Sequence, residues 1–158
     1  MMIMKKILLL IFIFGTFISC KKDNSKIVID DKNFLIFGHF YGECFGEGCV
    51  ETYKLTDKKL FEDTIDDYSG RNLNFIELSN NKFEEVKDLI EFFPNELLKS
   101  DKSIFGCPDC ADGGGLFIQY SENGKLKTWR IDQDTKNVPS YLHGFIDKVN
   151  DKIRIIKK

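Results

Sequence analysis

Hydrophobic and polar positions divide the chain into short strand-like segments followed by stretches with helical spacing. Segment 34–41 is apolar and aromatic and ends in the glycine-rich stretch 42–48, which predicts a buried strand that leads into a loop. Segments 50–55 and 60–64 are strand-like, and the four polar residues between them predict a hairpin. Residues 73–78 predict a fourth strand.

Two later stretches carry apolar residues at helical spacing. In the first stretch the apolar residues share one face and charged residues take the other; the apolar residues are Phe83, Val86, Leu89, Ile90 and Phe93. Asn81, three residues before Glu84, is typical of a helix start, and Pro94 ends this helix. The second helix opens at 137–140 with a proline near its first position, and its apolar stripe comprises Tyr141, Leu142, Phe145, Ile146 and Val149.

A hairpin between the two helices is predicted by Asn123 and Gly124, which favour a two-residue turn. With this turn the apolar residues fall on one face, and the predicted cross-strand pairs are Tyr120 with Lys127, Ile118 with Trp129 and Leu116 with Ile131. The stretch 153–156 is consistent with a short terminal strand. The order β-β-β-β-α-β-β-α predicts an α+β fold, an antiparallel sheet with two helices packed on one face.

The first 19 residues have a different pattern. Lys5 and Lys6 precede an apolar run that starts at Ile7, and this run is shorter than the roughly 20 residues of a membrane-spanning helix. The pattern predicts a secretory signal peptide. We therefore divide the chain into a cleaved signal peptide at 1–19, a modified Cys20 with a polar tether at 20–32, and one α+β domain at 33–158.

The end of the signal peptide, Phe17-Ile18-Ser19-Cys20, resembles the lipobox of bacterial lipoprotein precursors. In that family a small residue precedes the Cys that receives a diacylglyceryl group and becomes the N-terminus after cleavage. The resemblance implies that Cys20 is lipidated and that at least two acyl chains anchor the protein stably to a membrane. Lys21 after this Cys implies the outer membrane. The alternative is an ordinary signal peptide, although no A-x-A cleavage site is present.

The mature part resembles a group of small lipoprotein domains of Bacteroidota-type bacteria. The resemblance rests on FGHFYGEC at 37–44, GCVETYK at 48–54, CPD at 107–109 and PSYL at 139–142. It implies a cell-envelope location, either periplasmic or surface-exposed, and an α+β architecture. It implies no particular activity.

Besides Cys20, the chain has four cysteines at Cys44, Cys49, Cys107 and Cys110. An even number in an exported domain predicts disulfides. Three connectivities are possible for four cysteines, and we favour the local pairs Cys44 with Cys49 and Cys107 with Cys110. Two alternatives use the same residues: a zinc site of four thiolates, and a thiol-disulfide redox centre at Cys107 and Cys110.

The remaining charged residues nominate no catalytic site. The net charge is −2 with both signs interspersed, which excludes nucleic-acid binding because no basic stripe is present to contact phosphates. His39 and His143 are isolated, and neither a G-x-S-x-G nor an H-E-x-x-H motif occurs. Asp109-x2-Asp112 and Asp132-x-Asp134 do not match a calcium loop, so we predict solvated turns and no cofactor.

The sequence therefore favours a lipid-anchored envelope protein that acts as a non-enzymatic binding or structural module, with an envelope protein or a glycan as its partner. Aromatic residues that a sugar- or peptide-binding surface can use are Tyr41, Tyr53, Tyr68, Tyr120 and Trp129. The alternative function is a redox or zinc-binding protein that uses the four cysteines.

Overall fold

A computed structural model of the chain describes residues 29–30, 32–46 and 48–158. The predicted signal peptide, the lipidation site Cys20 and most of the tether lie outside the described residues. The described part forms a seven-stranded sheet with helices, which confirms the α+β class. The sheet is larger than predicted.

The strands occur in the spatial order β4-β3-β2-β1-β6-β7-β5. Their bounds are β1 Phe34–Phe40, β2 Val50–Leu55, β3 Leu60–Asp63, β4 Phe75–Glu77, β5 Ile104–Phe105, β6 Gly115–Glu122 and β7 Lys125–Asp132. Neighbouring strands are antiparallel except β5, which runs parallel to β7. The sequence does not predict β5, because two residues are too few to show alternation.

The predicted hairpin at Asn123 and Gly124 is confirmed with its register. Both turn residues have positive φ, at 52° and 77°, as a two-residue hairpin turn of this kind requires. The three predicted pairs, Tyr120 with Lys127, Ile118 with Trp129 and Leu116 with Ile131, are those observed. Leu116, Ile118 and Trp129 therefore face the main core as predicted, whereas the apolar Phe117 lies on the opposite face.

The first predicted helix is interrupted. It consists of α1 at Asn80–Val86 and a 3-10 turn at Lys87–Phe92, and it ends before Pro94 as predicted. A short helix that the sequence did not predict, α2 at Asn95–Lys99, follows this proline. Phe93 is extended, with ψ of 122°, because a residue before proline avoids the helical region. The apolar stripe still packs inward, and its buried members are Phe83, Val86, Leu89 and Phe93.

The last helix, α3 at His143–Ile156, is longer than predicted and begins later. Short 3-10 turns at Thr135–Asn137 and Ser140–Leu142 precede it. The predicted terminal strand at 153–156 is wrong, since these residues complete α3. Val149, Ile153 and Ile156 recur at i, i+4 and i+7 and are buried, which is helical periodicity.

The two faces of the sheet are covered differently. The helices pack on the face that carries Leu35, Phe37 and Trp129, and together they form the main core. On the other face Ile36, Phe40, Val50 and Phe117 form a small second cluster. The connection 64–74 covers this cluster: Leu73 packs against it, and a Cβ on Gly70 would lie 2.3 Å from the ring of Phe117.

The two ends of the sheet also differ. At one end, which we call the hairpin end, lie the turns 56–59 and 123–124 and the start of the domain at 32–33. At the other, which we call the loop end, lie the connections 41–49, 64–74 and 106–114. The seven residues of β1 separate the two ends, a distance of about 20 Å at the rise of an extended strand.

Candidate functional site

Both cysteine pairs lie at the loop end and form disulfides. Cys44 is bonded to Cys49 within the connection 41–49, and Cys107 is bonded to Cys110 within the connection 106–114. This is the local pairing favoured from the sequence. The zinc alternative would use the same four sulfur atoms as free thiolates, so the bonded pairs support the disulfide interpretation.

Asp109 joins the two cysteine loops to each other and to the third connection. Its Oδ2 accepts a hydrogen bond of 2.8 Å from the hydroxyl of Tyr68, and its Oδ1 accepts one of 3.2 Å from the amide of Gly114. The same Oδ2 lies against Gly42, where a Cβ would be only 2.3 Å away. One carboxylate therefore contacts all three connections of the loop end.

Gly114 permits a second close approach between the loops. Its φ is +67°, and a Cβ at this position would lie 2.2 Å from the Cε1 of Tyr41 and 2.9 Å from the carbonyl oxygen of Phe40. The Tyr41 hydroxyl in turn accepts a hydrogen bond of 3.0 Å from the Nε2 of Gln133. Tyr41 is thus fixed at both its ring and its hydroxyl.

The residues that follow Cys107 do not begin an α-helix. Cys110–Asp112 is a 3-10 turn, and Asp109, Ala111 and Asp112 have left-handed φ values of 66°, 51° and 58°. Reactive thiols of the thioredoxin type lie at a helix N-terminus, where backbone amides stabilise the thiolate. Cys107 lacks that arrangement, and three strained residues in one turn require the surrounding contacts to hold them.

The sequence predicts that Asp132 lies in a solvated turn. This prediction is wrong, because the side chain is buried. Its Oδ2 accepts hydrogen bonds of 2.9 Å from the amide of Cys107 and from the side chain of Asn137, and its Oδ1 accepts one from the amide of Asp134. Burial raises the pKa of this carboxyl, but these hydrogen bonds outweigh it and hold the pKa below its usual range. Asp132 therefore fixes the start of the second cysteine loop.

Arg130 holds the connection 64–74 against the sheet. Its guanidinium lies 3.6 Å from the centroid of the Phe40 ring and 4.8 Å from that of the Tyr68 ring. Its Nη1 donates a hydrogen bond of 3.1 Å to the Tyr68 carbonyl. Cation-π contacts of this kind stabilise by about 1 kcal/mol. The sequence analysis missed Arg130, although its alternation with Trp129 on β7 places it on the face opposite the main core.

A network of polar side chains supports the first cysteine loop from the side of the helices. The Nε2 of His39 donates a hydrogen bond of 3.0 Å to the carbonyl of Gly48. Glu51 accepts a hydrogen bond of 2.7 Å from the Tyr53 hydroxyl and forms an ion pair with Lys157 at 2.9 Å. Burial lowers the pKa of His39 against the opposing effect of the Gly48 carbonyl. Burial also raises the pKa of Tyr53, so both groups are neutral near pH 7.

A cleft of about 350 Å³ opens between the first cysteine loop and the connection 64–74. The residues that line it are Tyr41, Gly42, Cys44, Gly46, Cys49, Val50, Asp66 and Tyr68. Phe45, inside the disulfide ring, is fully exposed, and Ile65 and Tyr68 beside the cleft are about half exposed. Exposed apolar residues grouped around a concavity are typical of a binding surface.

Of the five aromatic residues that the sequence offered for a binding surface, two line the cleft, Tyr41 and Tyr68. The other three, Tyr53, Tyr120 and Trp129, are buried in the main core with at most 3% of their surface exposed. Four of the five lie in predicted strands, so the sequence did not separate Tyr41 from the three buried rings, whereas Tyr68 lies in the polar connection between two predicted strands. Only the packing of the connections reveals which rings reach solvent.

The side chains that line this cleft include few acid-base groups. Among its lining residues in the described part of the chain, Asp66 is the sole carboxylate, and both cysteines are in a disulfide. No group of three or more metal-ligating side chains occurs within residues 29–30, 32–46 and 48–158. His143, the second histidine, contacts the carbonyl of Val138 at 3.2 Å, away from the cleft.

A second cleft of about 290 Å³ lies where the described chain begins, near the hairpin end. Its lining combines apolar and charged side chains and comprises Ile29, Thr56, Asp57, Phe83, Lys87, Asp88, Ile90 and Glu91. Neither tyrosine, tryptophan nor a disulfide lines it. It is therefore the weaker candidate of the two clefts.

Comparison of the chain with protein-family models and with curated proteins finds no match. Within the described residues, none of the helices combines the length and the apolar character that a membrane crossing demands.

Proposed function

We propose that this chain is a lipid-anchored protein of the cell envelope, attached to the outer membrane through Cys20, and that its domain is a non-enzymatic binding module. The observation that carries the proposal is the difference between the two ends of the sheet. The domain begins at the hairpin end, so a chain that comes from Cys20 enters it there. The cleft, both disulfides and the exposed Phe45 lie together at the loop end.

The start of the domain is fixed to the hairpin end by direct contacts. The carbonyl of Lys32 accepts a hydrogen bond of 2.8 Å from the hydroxyl of Ser121, and the Asn33 side chain accepts one of 2.7 Å from the amide of Asn123. A membrane anchor upstream of these residues therefore leaves the loop end on the far side of the sheet. That orientation suits a surface that meets a protein or glycan in the envelope.

The rigidity of the loop end supports a binding role. Two disulfides, the contacts of Asp109 and the close packing at Gly42 and Gly114 hold connections whose described residues form no regular secondary structure beyond one 3-10 turn. A surface fixed before it meets its partner loses less conformational entropy when it binds.

Metabolic labelling tests the anchor. Cells that express the full chain and grow on a labelled fatty acid should yield a labelled, membrane-associated protein, and Cys20→Ser should abolish the label. The matched control is the double variant Cys44→Ser and Cys49→Ser, which should keep it. A soluble, unlabelled wild-type protein, or a label that survives Cys20→Ser, contradicts the proposal.

A capture experiment and a turnover assay, both with the purified full chain in detergent, distinguish a binding module from an enzyme. Capture from a solubilised envelope should recover a protein or glycan, and Phe45→Ser should weaken the capture. Leu126→Ser, at an exposed apolar residue of the hairpin end, should leave it unchanged. Turnover of an ester, peptide, glycoside or disulfide substrate would replace the binding proposal with an enzymatic one.

A further inference from the structure

The loop end carries a strong excess of negative charge. Among the described residues, the connections 41–49, 64–74 and 106–114 contain five acidic residues and one basic residue, and these are Glu43, Asp66, Asp67, Asp109, Asp112 and Arg71. The hairpin end is nearly balanced: the described residues within 29–33, 56–59 and 122–125 include three acidic and four basic residues. The charges that appear interspersed along the sequence are therefore separated in space.

From this separation we infer that the loop-end cleft binds a cationic peptide segment of a partner protein, which combines lysine or arginine with apolar residues. The inference rests on the proposed function, because it names the partner of the same surface. The aromatic rings of Tyr41 and Tyr68 would contact the segment, and the surrounding carboxylates would attract it.

Two cations near the cleft reduce the acidic excess but do not cancel it. Lys157 pairs with Glu51 at 2.9 Å, and the guanidinium of Arg130 lies over the rings of Phe40 and Tyr68. An electrostatic field of one sign over a cleft raises the local concentration and the association rate of ligands of the opposite sign.

The apolar part of the surface supplies the contact area. Phe45 is fully exposed on a ring closed by the disulfide, so little main-chain freedom remains to be lost when it is covered. Aromatic residues held in place are the usual energetic centres of protein interfaces. Tyrosine rings also attract ammonium and guanidinium groups directly through cation-π contacts.

Charge distinguishes this partner from the other classes. An anionic lipid surface or an acidic peptide would be repelled by the five described carboxylates of the loop end. A neutral glycan would stack on the tyrosines and gain nothing from the charge, so its binding would be insensitive to salt. A cationic peptide uses both properties of the surface.

Fluorescence anisotropy with the full chain in detergent tests the inference. The probes are three labelled eight-residue peptides that alternate leucine with lysine, with glutamate or with serine. The lysine peptide should bind at least about tenfold more tightly than the other two, and its affinity should fall about tenfold between about 20 mM and about 200 mM NaCl. A neutral chitin oligosaccharide, used as a competitor, should not displace it.

Matched variants locate the binding. Phe45→Ser should weaken lysine-peptide binding about tenfold and Asp66→Asn about threefold. Their controls at the hairpin end, Leu126→Ser and Asp57→Asn, should leave it unchanged. Equal binding of the three peptides, displacement by the oligosaccharide, or an equal loss in the controls overturns the inference.

The outcomes also separate this inference from the proposed function. If envelope capture depends on Phe45 but the lysine peptide does not bind, the loop end is a binding surface for another class of partner and only the cationic class is overturned. If capture is independent of Phe45 and the lysine peptide fails to bind, both the inference and the proposed binding surface are overturned.

Discussion

The hairpin end and the loop end of the sheet are built in different ways. At the hairpin end short turns join neighbouring strands, and local hydrogen bonds close them; the Thr56 hydroxyl, for example, accepts a bond of 3.0 Å from the amide of Lys59. At the loop end the connections are nine to eleven residues long and are held by disulfides and by contacts between loops. The structure of the hairpin end therefore follows from strand register, whereas the loop end is a surface formed by segments that are distant in sequence.

The largest expected difference between the ends comes from two glycines with similar backbone conformations. Gly114 and Gly124 both have positive φ, but a Cβ on Gly114 would collide with Tyr41 whereas a Cβ on Gly124 meets nothing within 4 Å. We expect Gly114→Ala to lower the free energy of unfolding by about 3 kcal/mol, through strain and overpacking, and Gly124→Ala by about 1 kcal/mol, through strain alone. Urea denaturation of both variants measures the difference, and equal losses would refute the close packing of the loop end.

Loss of a disulfide should loosen the loop end without affecting the hairpin end. The double variant Cys44→Ser and Cys49→Ser frees a six-residue ring, so we expect a loss of about 2 kcal/mol by the loop-entropy model. Hydrogen exchange should become faster at the backbone amide of position 49, which donates to the Gly46 carbonyl in the unsubstituted protein, and stay unchanged at the amide of Lys59. Faster exchange at both amides would show that the ends are not independent.

The contact between Tyr68 and Asp109 should have a smaller effect. Tyr68→Phe removes one hydrogen bond to a carboxylate that is partly exposed, and we expect a loss of about 1 kcal/mol. Exchange at the amide of Gly114, which donates to the same carboxylate, should become faster. The control is Tyr141→Phe, because Tyr141 packs against the main core. An equal change in Gly114 exchange and in unfolding free energy for this control would contradict the role of Asp109 in joining the connections of the loop end.

The smallest expected effect is a pH dependence of the unfolding free energy that arises from His39, which contacts the first cysteine loop. Burial lowers the pKa of His39 in the folded protein below its usual value, so the unfolded chain binds a proton first as the pH falls below about 6.5. Stability is therefore lost from about pH 6.5 downward, until the lower folded pKa is passed.

The His39 prediction is measured as a difference between variants. Burial and the nearby Glu51 raise the pKa of Glu62, which gives stability an opposite dependence on pH, so the wild-type curve alone is insufficient. The loss of unfolding free energy between about pH 7.5 and about pH 5.5 should be larger for wild type than for His39→Gln. An equal loss in both proteins would contradict a neutral, part-buried His39.

The features that sequence analysis predicted are those that depend on neighbouring residues. The register around Asn123 follows from alternation and turn chemistry, and the cysteine pairing matches short spacings. Other features depend on distant contacts: the short strand β5, the burial of Asp132 and the stacking of Arg130 all require knowledge of what lies across the sheet. The cleft belongs to this second group, because its residues come from two connections and from β2.

Photocrosslinking in intact cells tests most directly the claim that the two ends have different roles. A photoreactive phenylalanine analogue replaces Phe45 at the loop end in one version of the full chain and Leu126 at the hairpin end in another, both at exposed positions. We expect position 45 to yield a discrete adduct with an envelope partner and position 126 to yield none with that partner. A partner adduct from position 126 alone, or from both positions equally, would contradict the assignment of the loop end as the binding surface.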